Sequence, residues 1–211
     1  MCHVEGAVAD RYAMLLDGGF LKKKLSTQLG HQPQAADIVA FANGLRQNPK
    51  LIGLELLRIY YYDARPFDEK RKHPLSGATK NFATTLQAQQ GKQLLDALEV
   101  QADFAVRYGT LTMAGWKLGR GALLSLAATP RLLAEADVVP DLTQKGVDLR
   151  LGLDMALMSF KQLVKVLVVV SGDSDLVPAM KLARREGVRV YLDVMGHWTR
   201  REMAVHADLM L

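Results

Sequence analysis

Val164 to Val170 is an almost unbroken run of branched apolar residues. Such a run suits a strand covered by helices on both faces, the position of a central strand in a parallel sheet. It ends in Ser171-Gly172-Asp173-Ser174-Asp175, where the glycine allows a sharp turn and the serine and aspartate side chains are placed to cap a following helix. Pro178 falls in the first turn of that helix, which runs on to Arg185, and Val188 to Val194 reads as the next strand. Strand, helix and strand in this order predict an α/β fold with a central, mostly parallel β-sheet flanked by helices.

The same punctuation recurs near the beginning. Tyr12 to Leu16 is a short apolar run closed by Asp17-Gly18-Gly19, a buried first strand leading into a tight turn. Leu21, Leu25 and Leu29 then recur at helical spacing, with Lys22, Lys23 and Lys24 spread around the other faces. A second helix is expected from Pro33 through Ile38, Phe41, Ala42 and Leu45. Leu56 to Tyr62 reads as a strand stopping at Asp63-Ala64-Arg65-Pro66. Residues 64–79 lack periodicity, and Asn81 to Glu99 is helical in pattern. Phe104 to Tyr108 reads as a third strand, and Gly109 to Gly121 as a hairpin or loop. Gly146 to Lys161 reads as an amphipathic helix with Leu149, Leu153, Ala156, Leu157 and Phe160 as its apolar stripe.

Composition sets the outer limits. With 211 residues, 49% of them hydrophobic and 23% charged, the chain can form one domain, 1–211, around a sizeable core. Lysine and arginine number 27 against 22 acids, a net charge of +5, which favours a polyanionic partner through counterion release. Cys2 is the only cysteine, so an intrachain disulfide or a multi-cysteine zinc site is ruled out and a reducing compartment fits. No leader-like pattern begins the chain and no uncharged apolar run approaches ~18 residues. The expectation is cytoplasmic and without membrane contact.

Ligands of open parallel sheets bind outside the carboxyl ends of the strands, where this reading places Asp17, Asp63, Asp173 and Asp175. Carboxylates crowded into one cleft repel one another unless a hard cation with oxygen ligands joins them, and Mg2+ or Mn2+ is the natural candidate. A pair of such ions can activate water and stabilise both oxygens of an in-line phosphoryl displacement, which suits phosphodiester hydrolysis. Each acid also has an ordinary reading: Asp63 as a turn former, Asp175 as a helix cap, Asp193 as a surface or edge residue. Asp148 and Asp154 lie six residues apart, about 120° around a helix. Either Asp148 stands at the helix entry and points into the cleft with Asp154, or one of the two is a solvated or ion-paired surface acid, Arg150 being an obvious partner for Asp154.

Five segments together resemble the NYN domain of the LabA-like group, a branch of the PIN-like nuclease superfamily. They are Leu15-Leu16-Asp17-Gly18-Gly19-Phe20, Tyr61-Tyr62-Asp63-Ala64, Lys145-Gly146-Val147-Asp148 with Asp154, Ser171-Gly172-Asp173-Ser174-Asp175-Leu176-Val177-Pro178, and Gly187-Val188-Arg189-Val190. The resemblance implies a three-layer PIN-like, Rossmann-like fold in which residues 64–145 are an elaboration. It implies Asp17, Asp154, Asp173 and Asp175 as catalytic, metal-holding acids, with Asp148 and Lys145 beside them and Ser171 positioning the loop or substrate. It further implies Mg2+- or Mn2+-dependent cleavage of single-stranded nucleic acid, RNA more than DNA. One departure stands out: many PIN-like proteins carry asparagine or serine two or three residues after the first aspartate, where this chain has Gly19 and Phe20.

Lys22 and its neighbours follow the first acidic turn and are placed to meet phosphates, or form a solvated helix face. Arg65, Lys70, Arg71, Lys72 and His73 form the densest basic stretch, and Arg65 is a second candidate for substrate contact. Trp116, close before Lys117 and Arg120, either stacks on a base or caps a core. Arg184, Arg185, His197, Trp198, Arg200 and Arg201 suit surface solvation or a subunit contact, which leaves a homo-oligomer open. Two other classes compete. A non-catalytic RNA-binding or regulatory module shares every fold feature. A phosphatase of the haloacid dehalogenase type is disfavoured because its first strand needs two aspartates separated by one residue, and Asp17-Gly18-Gly19 supplies one.

Overall fold

The computed structural model describes residues 10–211; Cys2 lies outside them. Along the chain run β1 (Arg11–Asp17), α1 (Gly18–Leu29), α2 (Ala35–Arg46), β2 (Glu55–Ala64), the short strands β3 (Lys70–Lys72) and β4 (Thr79–Asn81), and α3 (Leu86–Glu99). There follow β5 (Phe104–Leu118), α4 (Arg120–Ala128), β6 (Val138–Lys145), α5 (Val147–Phe160), β7 (Val166–Val170), α6 (Val177–Arg185), β8 (Arg189–Asp193), α7 (Arg201–Val205) and β9 (Leu209–Met210). The main sheet has seven strands in the order β6-β5-β2-β1-β7-β8-β9, and β3 pairs with β4 alone. All pairings in the main sheet are parallel except that of β5 with β6.

Side-chain alternation along the strands divides the core in two. Ala13, Leu15, Leu167, Val169, Val190 and Leu192 face α5 and α6, where they meet Leu151, Met155 and Met180. Met14, Leu16, Val166, Val168 and Val170 face the other way, onto Leu21, Leu25, Ile38 and Leu98 of α1, α2 and α3. These are the three layers expected from the fully apolar β7. The chain builds outward from β1 through β2 and β5, then crosses back to lay β7 on the opposite side of β1. The strand order therefore reverses between β1 and β7, and the crevice at their carboxyl ends is the place where open α/β sheets bind ligands.

Three elements differ from the sequence reading. The helix expected over Asn81 to Glu99 begins only at Leu86, after β4 and a single tight turn, with the Thr85 hydroxyl accepting from the Ala88 N–H at its start. β5 does not stop near Tyr108: its outer half, from Thr110 to Leu118, continues as an antiparallel arm with β6, across a register shift between Met113 and Gly115. α5 forms where expected, but it buries Val147, Leu151, Met155 and Met158, while Leu149 is 66% and Phe160 60% exposed, with Leu153 and Leu157 also at the surface. Both faces of this helix are apolar, so periodicity alone does not choose between them. Among the described residues no helix is long and apolar enough to cross a membrane.

Candidate metal centre at the carboxyl edge of the sheet

Asp17 is the last residue of β1 and the N-cap of α1. Its Oδ1 accepts from the Phe20 N–H at 3.1 Å and its Oδ2 from the Ser171 hydroxyl at 2.8 Å. The turn that follows needs glycine, since a Cβ on Gly18 would sit 2.7 Å from both the Tyr62 carbonyl oxygen and the Tyr61 ring. Ser171 is fully buried just beyond β7. Its Oγ also accepts from the Asp173 N–H at 3.1 Å, and Asp173 in turn accepts from the Asp175 N–H at 2.9 Å. One serine thus ties the β1 turn to the β7 turn. Phe20, at the position where the resemblance anticipates a polar residue, lies against the backbone of Gly172; a Cβ there would come within 2.7 Å of its ring.

Asp148 joins this group from α5. Gly146, with φ of 76°, turns the chain out of β6, and Asp148 lies in the first turn of the helix. Loss of hydration, and then the carboxylates of Asp17, Asp173 and Asp175, push its pKa above the usual carboxylate range. Asp17 is raised as well, chiefly by burial and also by Asp173, against the lowering influence of the Phe20 N–H and the Ser171 hydroxyl. Among the described residues no lysine, arginine or histidine forms an ion pair with any of these four acids.

Asp154 and Asp63 stand apart from them. Six residues of helix carry Asp154 about 9 Å along the axis from Asp148 and about 120° around it. There it accepts from the Tyr62 hydroxyl at 2.9 Å and pairs with Arg107 Nε at 3.1 Å. The structure does not bring Asp154 together with the other acids, and its cation is Arg107 of β5 rather than Arg150. Asp63, on the opposite face of the sheet, pairs with Lys22 Nζ at 2.5 Å and accepts from the Ala64 N–H. Tyr62 and Arg107 escaped the sequence reading. Alternation along β2 is the signal that puts Tyr62 on the α5 face; nothing local marks Arg107.

Of the basic candidates, Lys22 is engaged by Asp63, and Arg65 pairs with Glu99 at 3.4 Å while lying 4.2 Å over the Tyr108 ring. Lys145 is exposed at the end of β6, opposite Thr110 and next to the turn that delivers Asp148. Asp193 accepts from the Met195 N–H at 2.7 Å, a local turn contact. Trp116 packs edge-on against His73, with ring centroids 4.7 Å apart.

The four unpaired acids offer carboxylate oxygens only, the donors that hard divalent cations take, and their mutual repulsion is what such a cation relieves. Their donor chemistry therefore fits a divalent ion. Among the described residues no three of them converge closely enough to hold an ion in the present arrangement, so binding requires side-chain rotation. Asp148 and Asp175, both exposed, are free to supply it.

Residues 118–207 are similar to the NYN domain family. The matched span runs from the end of β5 into the segment after α7 and holds Lys145, Asp148, Asp154, Ser171, Asp173 and Asp175; Asp17 lies outside it. No curated protein matches the chain. The crystal structure of a protein of unknown function from Vibrio parahaemolyticus has a similar fold, with a TM-score of 0.53 and 12% identity over 99% of this chain and 95% of that one.

Proposed function

We propose that the chain is a metal-dependent ribonuclease that hydrolyses phosphodiester bonds of single-stranded RNA at the crevice between β1 and β7. The observation that carries this reading is the gathering of four carboxylates, none with an ion-pairing cation among the described residues, at the reversal point of the sheet, in a protein of net charge +5. Asp17, Asp148, Asp173 and Asp175 would hold Mg2+ or Mn2+, and the bound ions would supply an activated water and stabilise the charge that develops on phosphate. The chain's own part is positioning. Ser171 and the Phe20 N–H hold both oxygens of Asp17 in one orientation, Asp173 is oriented against the Asp175 N–H, and Phe20 covers the backbone at Gly172. Lys145, exposed at the end of β6, would meet a substrate phosphate, and Asp154 steadies α5 through Tyr62 and Arg107.

The similarity of residues 118–207 to the NYN domain, together with the resemblance to PIN-like nucleases, supports nucleic acid as the substrate class. The preference for RNA, a cytoplasmic location and a homo-oligomer belong to the same proposal. A non-catalytic RNA-binding module is the second reading, favoured by the incomplete convergence of the acids. Labelled single-stranded RNA incubated with purified protein, with and without Mg2+ or Mn2+, separates them. Cleavage that needs the ion and is lost in Asp173→Asn supports the nuclease. RNA binding without cleavage in either protein supports the module.

A further inference from the structure

A second cavity opens on the same edge of the sheet, one strand over and on the opposite face. It has a volume of ≈170 Å³ and lies between α1, the end of β2, α3 and the β5/β6 arm. Asp63, at its inner end, directly follows Tyr62, the residue in register with Asp17, so the backbones that carry Asp17 and Asp63 run about one strand spacing, roughly 5 Å, apart. The walls are apolar, with Phe67, Phe82, Leu94 and Leu111 among them, while Lys22, Gln87 and Gln144 supply the polar groups. Pockets for drug-sized ligands run to about 300–1,000 Å³; this one has room for a single ring system.

The exposed charges at its mouth are mostly cationic, although Arg71 also pairs with Glu69. The Arg71 guanidinium stands 5.4 Å over the Phe67 ring and the Lys80 ammonium 5.3 Å over the Phe82 ring. Both cations come from the β3/β4 ribbon, which pairs Lys70, Arg71 and Lys72 with Asn81, Lys80 and Thr79 and is exposed along most of its length. Asp63 at the inner end is already neutralised by Lys22. An acyl chain would leave the amides of Gln87 and Gln144 without partners, and an acidic side chain would leave the aromatic walls unused. A heterocyclic base attached to phosphates uses both, its ring among the apolar walls, its edge on the amides and its phosphates along the ribbon.

We propose that this cavity is a nucleobase subsite, which receives one base of the strand whose backbone lies in the acidic crevice, with Lys70, Lys72 and Lys80 of the ribbon guiding the adjoining phosphates. The proposal rests on the nuclease reading for its substrate class, and its test is separable from that reading. AMP, GMP, CMP and UMP are titrated calorimetrically, in EDTA, into the wild type, Asp173→Asn, Gln144→Trp and Gln87→Trp. Both tryptophan variants place a bulky ring at the mouth from an exposed position, so the fold tolerates them. At least one nucleotide is expected to bind with Kd on the order of 1 mM or tighter, equally well to Asp173→Asn, and about tenfold or more weaker to the tryptophan variants. On RNA, the tryptophan variants raise KM and leave kcat near that of the wild type. Absence of nucleotide binding, or binding unchanged by both tryptophan variants, overturns the subsite even where RNA is cleaved. Nucleotide binding blocked by the tryptophans in a protein that cleaves nothing upholds the subsite and sinks the nuclease.

Discussion

Asp17 and Asp63 end neighbouring parallel strands, one residue apart in register, and are buried to nearly the same degree, 8% and 3% exposed. Asp63 has an ammonium against it, from Lys22. Asp17 has two neutral donors, the Phe20 N–H and the Ser171 hydroxyl, and its near neighbours are further acids. Neutral donors orient a carboxylate without cancelling its charge, whereas a buried ammonium cancels it and makes the pair a part of the core. Burial alone does not distinguish a ligand from a strut. The identity of the compensating partner does.

The largest effect that breaks this comparison is on catalysis. Asp17→Asn keeps the shape but removes a charge a cation needs, so RNA cleavage in Mg2+ is expected to fall by roughly 10²–10³-fold. Asp154→Asn, whose partners are Arg107 and Tyr62, is expected to change kcat much less; an equal loss in both variants would return Asp154 to the metal centre. On stability the order reverses. Lys22→Met leaves Asp63 buried and unpaired, a change that costs about 3–5 kcal/mol where the pair is fully enclosed. With the Lys22 side chain 34% exposed, screening brings the expectation down to roughly 2 kcal/mol, read from the urea midpoint. Ser171→Ala removes the link between the two turns and leaves the Asp173 N–H short of a partner, an expected loss of about 1–2 kcal/mol.

The smallest effect is on pH dependence, and its sign is specific. Asp17 and Asp148 have folded-state pKa values above the usual carboxylate range, so the folded protein holds protons that the unfolded chain releases. Their contribution favours folding at low pH, and without divalent ions it is lost as pH rises from about 4 through the raised values. In EDTA, Asp17→Asn is therefore expected to gain Tm relative to the wild type at pH 7.5 but not at pH 4, and added Mg2+ is expected to raise the Tm of the wild type alone. A carboxylate whose pKa is lowered by a paired cation would show the opposite trend.

Much of the fold was legible because its signals are local. The uninterrupted β7, the Asp17-Gly18-Gly19 turn and the serine-glycine-aspartate loop each announce themselves within a few residues, and the α/β layering follows from them. The β6 strand was not legible: Val138 to Lys145 carries Pro140, Asp141 and a polar second half, and it is a strand because the outer half of β5 gives it a partner. The buried face of α5 was missed for a related reason. Leu149, Leu153 and Leu157 make as good a stripe as Leu151, Met155 and Met158, and only the placement of β1, β2 and α6 selects the second.

The candidate site divides along the same line. The sequence by itself determined which residues are acids at the ends of strands, since each lies beside the turn that ends its own strand. Tertiary structure alone decided which of those acids keep an uncompensated charge. Lys22 reaches Asp63 from the next helix around the sheet, Arg107 reaches Asp154 across 47 residues of chain, and Ser171 reaches Asp17 across 154. Charge compensation acts over a few ångströms of space without regard to separation along the chain, so local pattern cannot show it.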